Sequence, residues 1–239
     1  MSGQTGTPLI VEGMSTGYNG RAIVHGVSFR VEPGRVTALL GHNGAGKTTT
    51  LKAITGLLPL HSGSVWYADA DISKLRHVER VRRGIVYLPQ EHAVFAGMTV
   101  RENLKLGATL ERDGSVEAGR RTAVLKLFPV LEERLAQLAG TMSGGQQRML
   151  SMGIALMAGA RLLLLDEPSL GLAPSLNQSL LTAVAELARR ENIAVLLVEQ
   201  AIAQALEFAD HVYVMRNGEI VADHTREEAL ARSDWWEVF

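Results

Sequence analysis

A glycine-rich segment near the start of the sequence has the residue types of a phosphate-binding loop. It runs from Gly41 to Thr48 and fits the pattern G-x-x-x-x-G-K-[ST]. Glycine allows the tight turns that aim consecutive backbone N–H groups at phosphate oxygens, and a following helix adds its positive N-terminal end. Lys47 would bring a mobile positive charge to the terminal phosphates, and the Thr48 hydroxyl would bind magnesium, which prefers oxygen ligands. A glycine-rich turn with a chance lysine is the weaker interpretation, because an apolar run precedes the segment and a helical pattern follows it.

Two adjacent acids, Asp166 and Glu167, follow a run of four leucines. Such a run would carry Asp166 to the edge of a buried sheet, where it would bind magnesium, commonly through water. Glu167 would polarise the water that attacks the γ-phosphate. Taken alone, the two acids fit an ordinary solvated strand exit equally well. Beside a phosphate loop they predict the second half of a hydrolytic site, because doubly wound sheets gather such edges into one crevice.

Three short apolar runs would form the sheet that positions these residues. They span Val36–Leu40, Leu162–Leu165 and Ile193–Val198, and they are continuous rather than alternating, which is typical of parallel strands covered by helices on both faces. Glycine, acidic or amide groups follow each run within a residue or so. The chemistry is therefore expected at the carboxyl edge of the sheet.

The remaining patterns predict a smaller β region and a helical insertion. Leu9–Met14 and Val27–Val31 are strand candidates, and a hairpin is expected near Val212–Val221 with its turn at Asn217-Gly218. Between Met98 and Met157 the apolar spacing is helical and no good strand occurs. We interpret this segment as an inserted helical lobe that shares one core with the rest of the chain.

The composition is that of an ordinary globular protein. Of the 239 residues, 46% are hydrophobic and 21% are charged, which excludes intrinsic disorder and collagen-like structure. The net charge of -1 gives no bulk attraction for nucleic acid or anionic lipid. Because there is no cysteine, disulfides, thiolate nucleophiles and zinc-thiolate sites are excluded. The N-terminus lacks signal-peptide features and Met149–Leu165 is too short to cross a bilayer, so we expect no export and no membrane span.

A third motif, Met142-Ser143-Gly144-Gly145-Gln146, resembles the signature of the ATP-binding cassette family, which reads Leu-Ser-Gly-Gly-Gln. Ser143 and the N–H groups of the next two glycines would stand where a helix begins, so they can hold a phosphate. In the family, that phosphate belongs to ATP on the opposite subunit. The resemblance, which covers about residues 8 to 225, therefore implies that one chain carries two half-sites and no complete one.

The resemblance also implies a fold and a domain plan. The fold would be α/β, with a RecA-like P-loop NTPase core, an antiparallel β subdomain and an inserted α-helical subdomain. A single cassette would span residues 8–235. Residues 1–97 and 158–235 would form the nucleotide-binding core with the β subdomain, and residues 98–157 would form the helical signature subdomain.

Other positions match the family's functional residues one by one. Tyr18 resembles the aromatic residue that stacks on adenine, and Gln90 resembles the glutamine that contacts magnesium and the attacking water. Together with Gln90, the residues Thr48 and Asp166 would complete the magnesium set. The resemblance implies ATP contacts from Gly41, His42, Asn43, Gly44, Ala45, Gly46, Lys47, Thr48 and Thr49, and contacts with the opposite subunit's ATP from Ser143, Gly144, Gly145 and Gln146.

Two positions depart from the family pattern. Gln200 stands where most members have a switch histidine, and an amide can donate a hydrogen bond but cannot carry the imidazole's proton or charge. The loop after Glu167 ends at Leu172, where an aspartate is usual. Since Glu167 and Lys47 are intact, we predict hydrolysis with Glu167, Gln200 and Lys47 as catalytic residues. A scaffold that binds nucleotide without hydrolysing it is the rival interpretation.

The motifs around Ser143, Glu167 and Gln200 resemble those of the shorter ATPase subunit of branched-chain amino acid importers. That branch implies ATP and Mg2+ as cofactors, two transmembrane permease subunits and a second ATPase subunit, either a longer sister or another copy. It also implies a solute-binding protein acting through the permeases, a peripheral place on the cytoplasmic face of the cell membrane, and no nucleic-acid partner. Importers of other amino acids, amides or urea share these motifs. A non-transport cassette ATPase acting on DNA or ribosomes is the alternative, but no long coiled-coil insertion separates Lys47 from Ser143.

Three further features carry open interpretations. The apolar residues Val94, Phe95, Met98 and Val100 would either dock on membrane partners or pack the base of the helical lobe. An aromatic cluster of Trp235, Trp236 and Phe239 would form a partner surface or, as we favour, fold back onto the hairpin near the C-terminus. His42 and His92 lack companions at metal-ligand spacing, so we assign them no catalytic role.

Overall fold

The computed structural model describes residues 8–91, 93–232 and 235. Its strands are β1 (Leu9–Tyr18), β2 (Arg21–Val31), β3 (Val36–Leu40), β4 (Leu60–Tyr67), β5 (Ala70–Asp71), β6 (Ile85–Leu88), β7 (Leu162–Asp166), β8 (Ala194–Glu199), β9 (His211–Arg216) and β10 (Glu219–Thr225). Its helices are α1 (Lys47–Ile54), α2 (His77–Arg82), α3 (Val100–Gly107), α4 (Gly114–Leu127), α5 (Pro129–Glu132), α6 (Gly144–Met157), α7 (Pro174–Glu191), α8 (Ile202–Phe208) and α9 (Arg226–Ala231), with a 3-10 turn at Ala139–Thr141.

A six-stranded sheet with the order β10-β9-β3-β8-β7-β6 forms the centre of the molecule. Strands β9, β3, β8, β7 and β6 run parallel, and β10 is antiparallel to β9. Every residue of β3, β7 and β8 is buried, because these strands are apolar on both faces. The three predicted core strands and the α/β fold class are confirmed.

Alternate residues of β7 pack into two different cores. Leu162 and Leu164 join the cluster formed with the second sheet, whereas Leu163 and Leu165 join the cluster formed with α6 and α7. This alternation follows from the two-residue period of a strand. Packing on both faces of the central sheet therefore positions β7, and with it Asp166 at its carboxyl end.

The second sheet is antiparallel and has the order β2-β1-β4-β5. Its first two strands run further than the predicted Leu9–Met14 and Val27–Val31, since pairing continues to a turn at Asn19-Gly20. Gly13 and Gly26 have positive φ values of 55° and 59°, and register shifts interrupt the pairing near them. These bulges break the alternation of apolar residues, which is why the sequence pattern underestimated the strands.

The segment between residues 98 and 157 contains α3, α4, α5, α6 and the 3-10 turn, with a single isolated bridge between Thr99 and Leu138 as its β pairing. The predicted helical character is confirmed. The hairpin predicted near the C-terminus is also confirmed as β9 and β10, with positive φ at Asn217 and Gly218. The boundaries proposed for the subdomains stay a prediction.

One member of the predicted aromatic cluster lies among the described residues. Trp235 is half-buried, packs against a core cluster beneath β9 and places its ring edge-on to His224 of β10, with the centroids 6.2 Å apart. This agrees with the favoured fold-back interpretation for Trp235. Trp236, Phe239 and His92 lie outside the described residues. Across the described part of the chain, no helix combines the length and apolar character needed to cross a membrane.

Candidate functional site

The glycine-rich segment connects the end of β3 to the start of α1, as predicted. Gly44 and Gly46 have φ values of 83° and 109°, a region that side chains disfavour. A Cβ on Gly41 would lie 2.4 Å from the Met215 carbonyl oxygen, so only glycine fits there. Helix α1 begins without a side-chain cap, which leaves its first N–H groups without helical acceptors. These groups suit an anion such as phosphate.

Lys47 is buried with its ammonium inside the loop. Its Nζ donates to the carbonyl oxygens of Gly41 at 2.6 Å and His42 at 3.1 Å. The same nitrogen lies 3.5 Å from Oε1 of Glu167. The positive charge therefore stands between the phosphate loop and the acids that end β7.

Asp166 is buried at the end of β7 and receives two hydroxyl hydrogen bonds. Thr48 Oγ1 donates to its Oδ1 at 3.0 Å, and Tyr87 OH donates to its Oδ2 at 2.9 Å. Burial raises the pKa of Asp166 above its ordinary value, although both hydrogen bonds act to lower it. The network joins α1, β6 and β7 around one carboxylate.

Glu167 has a backbone conformation that is uncommon outside glycine, with φ at 44°. Its backbone N–H donates to the Val198 carbonyl at 3.0 Å, which ties it to β8. Gln90 Nε2 donates to Oε2 of Glu167 at 3.0 Å. The structure thus brings Lys47, Gln90 and Glu167 together, and strained backbone of this kind is often found at functional sites.

The oxygen atoms at this edge fit a magnesium ion by their chemistry. A threonine hydroxyl, an aspartate carboxylate and a glutamine amide are the hard donors that magnesium binds, with water completing its shell. Thr48 and Asp166 already face each other at 3.0 Å. Within the described residues, no group of three or more His, Cys, Asp or Glu side chains forms a cage, so water and nucleotide oxygens would have to supply the other ligands.

The segment from Met142 to Gln146 begins helix α6 with a reciprocal cap. Ser143 Oγ accepts from the Gln146 N–H at 3.4 Å, and Gln146 Oε1 accepts from the Ser143 N–H at 3.1 Å. Ser143 and Gly144 are exposed, whereas Met142 is buried in the core. Met142 is therefore a core residue, whereas Ser143 and Gly144 at the start of the helix face solvent.

Tyr18 and Gln200, both predicted site residues, lie outside the group of contacting side chains around Asp166 and Glu167. Tyr18 is half-exposed at the end of β1, and its ring centroid lies 6.0 Å from Nζ of Lys52 on α1. Gln200 is exposed just after β8, with its backbone N–H donating to Oε2 of Glu199 at 3.4 Å. His42, Asn43 and Gly44 are exposed in the phosphate loop, whereas Ala45 and Thr49 are buried.

The ABC transporter family profile matches residues 24–170 of this chain. The chain belongs to the ABC transporter family. A high-affinity branched-chain amino acid transport ATP-binding protein, BraG of Pseudomonas aeruginosa, is 44% identical over 214 residues, which are 89% of this chain and 90% of that protein. LivF of Archaeoglobus fulgidus, a probable branched-chain amino acid transport ATP-binding protein, is 37% identical over 218 residues, or 91% of this chain and 92% of that protein.

A solved ABC transporter cassette has the same fold. The ADP conformation of MJ1267, an ATP-binding cassette of an ABC transporter, superimposes with a TM-score of 0.85 at 30% identity, covering 97% of this chain and 98% of that one. The P-loop NTPase fold is confirmed. As an ABC transporter ATPase, the chain binds and hydrolyses ATP, as its motifs predict.

Three residues of this ABC transporter cassette support the site but escaped the sequence analysis. Tyr87 binds Asp166 as described above. Arg148 is buried in α6, and Glu199 is buried at the end of β8 with its pKa raised by burial. The sequence contains a signal for two of them. Arg148 is the sole charged residue of α6, and Glu199 ends an apolar strand as Asp166 does.

Proposed function

We propose that Glu167 is the general base that activates water for attack on the γ-phosphate of ATP. Its carboxylate lies 3.5 Å from Lys47 and accepts a hydrogen bond from Gln90 at 3.0 Å, so it has a positive neighbour and an amide that can orient the same water. This convergence carries the proposal. Lys47 would exchange its carbonyl partners for phosphate oxygens and neutralise the charge that builds up on the leaving ADP.

We propose that Thr48, Asp166 and Gln90 hold magnesium. When bound there, the ion would neutralise phosphate charge as a Lewis acid. Thr48 and Asp166 hold each other in place at 3.0 Å, and Tyr87 orients the second carboxylate oxygen. The loop residues Gly41 to Thr49 would bind the phosphates, and Tyr18 would stack on the base.

We propose that two cassettes close head to tail, so that each Ser143 segment faces the phosphate loop of the other subunit. Ser143 and Gly144 are exposed at the start of α6, where the helix end favours an anion. Ser143, Gly144, Gly145 and Gln146 would complete the opposite site, and Gln200 would reach the γ-phosphate as a neutral donor. ATP would hold the two subunits together and hydrolysis would release them.

We propose that the transported solutes are branched-chain amino acids. The proposal relies on the 44% and 37% identity to BraG and LivF, because no residue of such a subunit contacts the cargo. The assembly would contain two transmembrane permeases, a second ATPase subunit and a solute-binding protein acting through the permeases. The chain would lie peripherally on the cytoplasmic face of the membrane.

The loop before α3 is the surface that we propose for permease docking. Phe95 and Met98 are 57% and 38% exposed, while Val94 is partly buried and Val100 fully buried in the core, so only part of the predicted apolar set is available. The buried Asn103 amide exchanges hydrogen bonds with the backbone N–H and carbonyl of Phe95 and donates to the Met98 carbonyl. A loop that is held by hydrogen bonds to a buried side chain and exposes apolar side chains suits contact with a partner protein.

Co-purification from native membranes tests this function. The tagged full-length chain is isolated in detergent and its bound proteins are identified by mass spectrometry. We expect two hydrophobic permeases and a second cassette subunit. Recovery of ribosomes or DNA-bound proteins instead would contradict the transport assignment while leaving ATP hydrolysis intact.

A further inference from the structure

The guanidinium of Arg148 is enclosed by backbone carbonyl groups. Arg148 is 1% exposed on α6, five residues after the Ser143 cap. An arginine side chain has five N–H donors, and five carbonyls accept from this one. Nε donates to Pro168 O at 3.2 Å, Nη1 to Pro89 O at 2.9 Å and Gln90 O at 3.0 Å, and Nη2 to Asp166 O at 3.2 Å and Glu167 O at 3.1 Å.

These carbonyls belong to the two segments that carry the hydrolytic side chains. One segment follows β6 and presents Gln90, and the other begins with the last residue of β7 and presents Asp166 and Glu167. Three successive carbonyls, from residue 166 to residue 168, turn toward one side chain. Glu167, the middle residue of this turn, has a positive φ of 44°, and a conformation of this kind persists only where its surroundings hold it.

The charge of Arg148 is costly to bury, and the surroundings compensate for it. Burial lowers the pKa of Arg148, while the charges of Glu199 and Asp166 act to raise it. Glu199 also binds the segment that follows β7, because its Oε1 accepts a hydrogen bond from the Ser169 N–H at 3.2 Å. A buried ionic group often adds little stability compared with apolar residues of equal volume, so stability alone is a weak reason for this arrangement.

We propose that Arg148 is a positioning residue that holds Glu167 and Gln90 in hydrolytic geometry and fixes them to the Ser143 segment of the same chain. Arg148 lies on the helix that Ser143 caps, and its donors reach the backbone of both catalytic loops. A displacement of the Ser143 segment by an opposite ATP would therefore move Glu167 and Gln90 with it. The inference relies on the proposed roles of these two residues in ATP hydrolysis.

A second buried arginine provides a matched control. Arg80 on α2 is 2% exposed, and its guanidinium also donates to backbone carbonyls, those of Leu75, Ala53, Ile54 and Ser73. None of these carbonyls belongs to the segments that carry Gln90 and Glu167. Ala53 and Ile54 end α1, at the opposite end of that helix from Lys47. Arg80→Met therefore removes a comparable buried guanidinium that has no contact with the segments carrying Gln90 and Glu167.

The test compares Arg148→Met, Arg80→Met and wild-type full-length protein. Single-turnover hydrolysis of magnesium-ATP, with the protein in excess at several concentrations and the rate corrected for the folded fraction, gives the rate constant of the bound state and its dependence on protein concentration. Titration with a fluorescent ATP analogue gives binding. Hydrogen exchange at the N–H groups of Glu167 and Ser169 reports whether the loop is held.

We expect Arg148→Met to lower the rate by between roughly tenfold and 100-fold, as small misplacements of catalytic groups do, with ATP affinity within about twofold of wild type. Hydrogen exchange at the backbone N–H groups of Glu167 and Ser169 should be faster in Arg148→Met than in wild type. Arg148→Lys, with at most three donors on one nitrogen, should fall between wild type and Arg148→Met. Arg80→Met should keep the wild-type rate per folded molecule even where it lowers stability.

Two results would overturn the inference. One is a wild-type rate in Arg148→Met, and the other is an equal loss in Arg80→Met, which would make the effect general destabilisation. Glu167→Gln, measured in parallel, distinguishes a failure of the positioning role of Arg148 from a failure of the proposed mechanism. If Glu167→Gln is inactive and Arg148→Met is fully active, only the positioning role fails, whereas a fully active Glu167→Gln refutes the assignment of the base itself.

Discussion

Removing the Tyr87 hydroxyl should weaken magnesium binding without disturbing the fold. Tyr87→Phe deletes one hydrogen bond, that of 2.9 Å to Oδ2 of Asp166, and leaves the 3.0 Å bond from Thr48 to Oδ1. The ring and its packing on β6 stay in place. The perturbation is therefore confined to the carboxylate that we propose as a magnesium ligand.

The expected size follows from this single bond. A hydrogen bond to a charged group contributes about 1.5–3 kcal/mol, which corresponds to a factor of roughly 10 to 150. Loss of an outer partner of a metal ligand typically costs about 10- to 100-fold in metal affinity or activity. Because Tyr87 is only half-buried, we expect the lower part of this range, near tenfold.

The assay is ATP hydrolysis as a function of free magnesium at saturating nucleotide. Wild type and variant are measured in parallel, so that formation of magnesium-ATP in solution is common to both. The free magnesium needed for half-maximal rate should rise about tenfold in Tyr87→Phe. The hydrogen bond lowers the pKa of Asp166, so its loss should also move the acidic limb of the pH–rate profile to higher pH.

Tyr213→Phe is the matched control for this experiment. Tyr213 is buried on β9, and its hydroxyl accepts from the Arg30 N–H at 3.3 Å rather than from a site residue. That variant should keep the wild-type magnesium requirement and pH profile. If Tyr87→Phe does so as well, the hydroxyl does not tune Asp166 and our reasoning on this carboxylate is wrong.

Two further predictions concern stability. Burial raises the pKa of Asp166, so its contribution to folding is full below the ordinary pKa of about 3.9 and is lost as pH rises through the folded value. Ligand-free Asp166→Asn should therefore melt at a higher temperature than wild type near about pH 7.5, with a smaller difference in acid, and a lower melting temperature at neutral pH would contradict this. Met142 is buried, so Met142→Leu should change the free energy of unfolding in urea by less than about 1.5 kcal/mol and Met142→Ala should reduce it by about 2–5 kcal/mol. Equal losses in the two variants would show that apolar volume is not what this position requires.

The hydrolytic residues were accessible to sequence reasoning because their signals are local. Lys47 and Thr48 belong to one short motif, and Asp166 and Glu167 end an apolar run, so strand polarity alone brings them to one edge of the sheet. The structure adds the contacts between them, including those from Gln90. Strand lengths were harder to predict, since bulges near Gly13 interrupt the period on which such predictions depend.

Arg148 and Glu199 are unusual at their positions, but the roles of the supporting residues could not be predicted in the same way. Arg148 donates to backbone carbonyls near positions 90 and 167. Because every residue has a backbone carbonyl, residue types do not reveal which carbonyls it binds. Tyr87 looks like an ordinary strand residue until Asp166 is placed beside it. Leu172, which stands where the family usually has an acid, packs partly buried against the core, and nothing in the loop sequence indicated that contact.

The most direct test of the proposed mechanism is single-turnover hydrolysis of magnesium-ATP by Glu167→Gln. The variant keeps the shape of the side chain and an amide partner for Gln90 but removes the base, so ATP should stay bound and uncleaved while the wild type converts it to ADP and phosphate. Glu186→Gln, an exposed acid on α7, serves as the control and should retain the wild-type rate. Hydrolysis by Glu167→Gln at the wild-type rate would contradict the assignment of Glu167 as the general base.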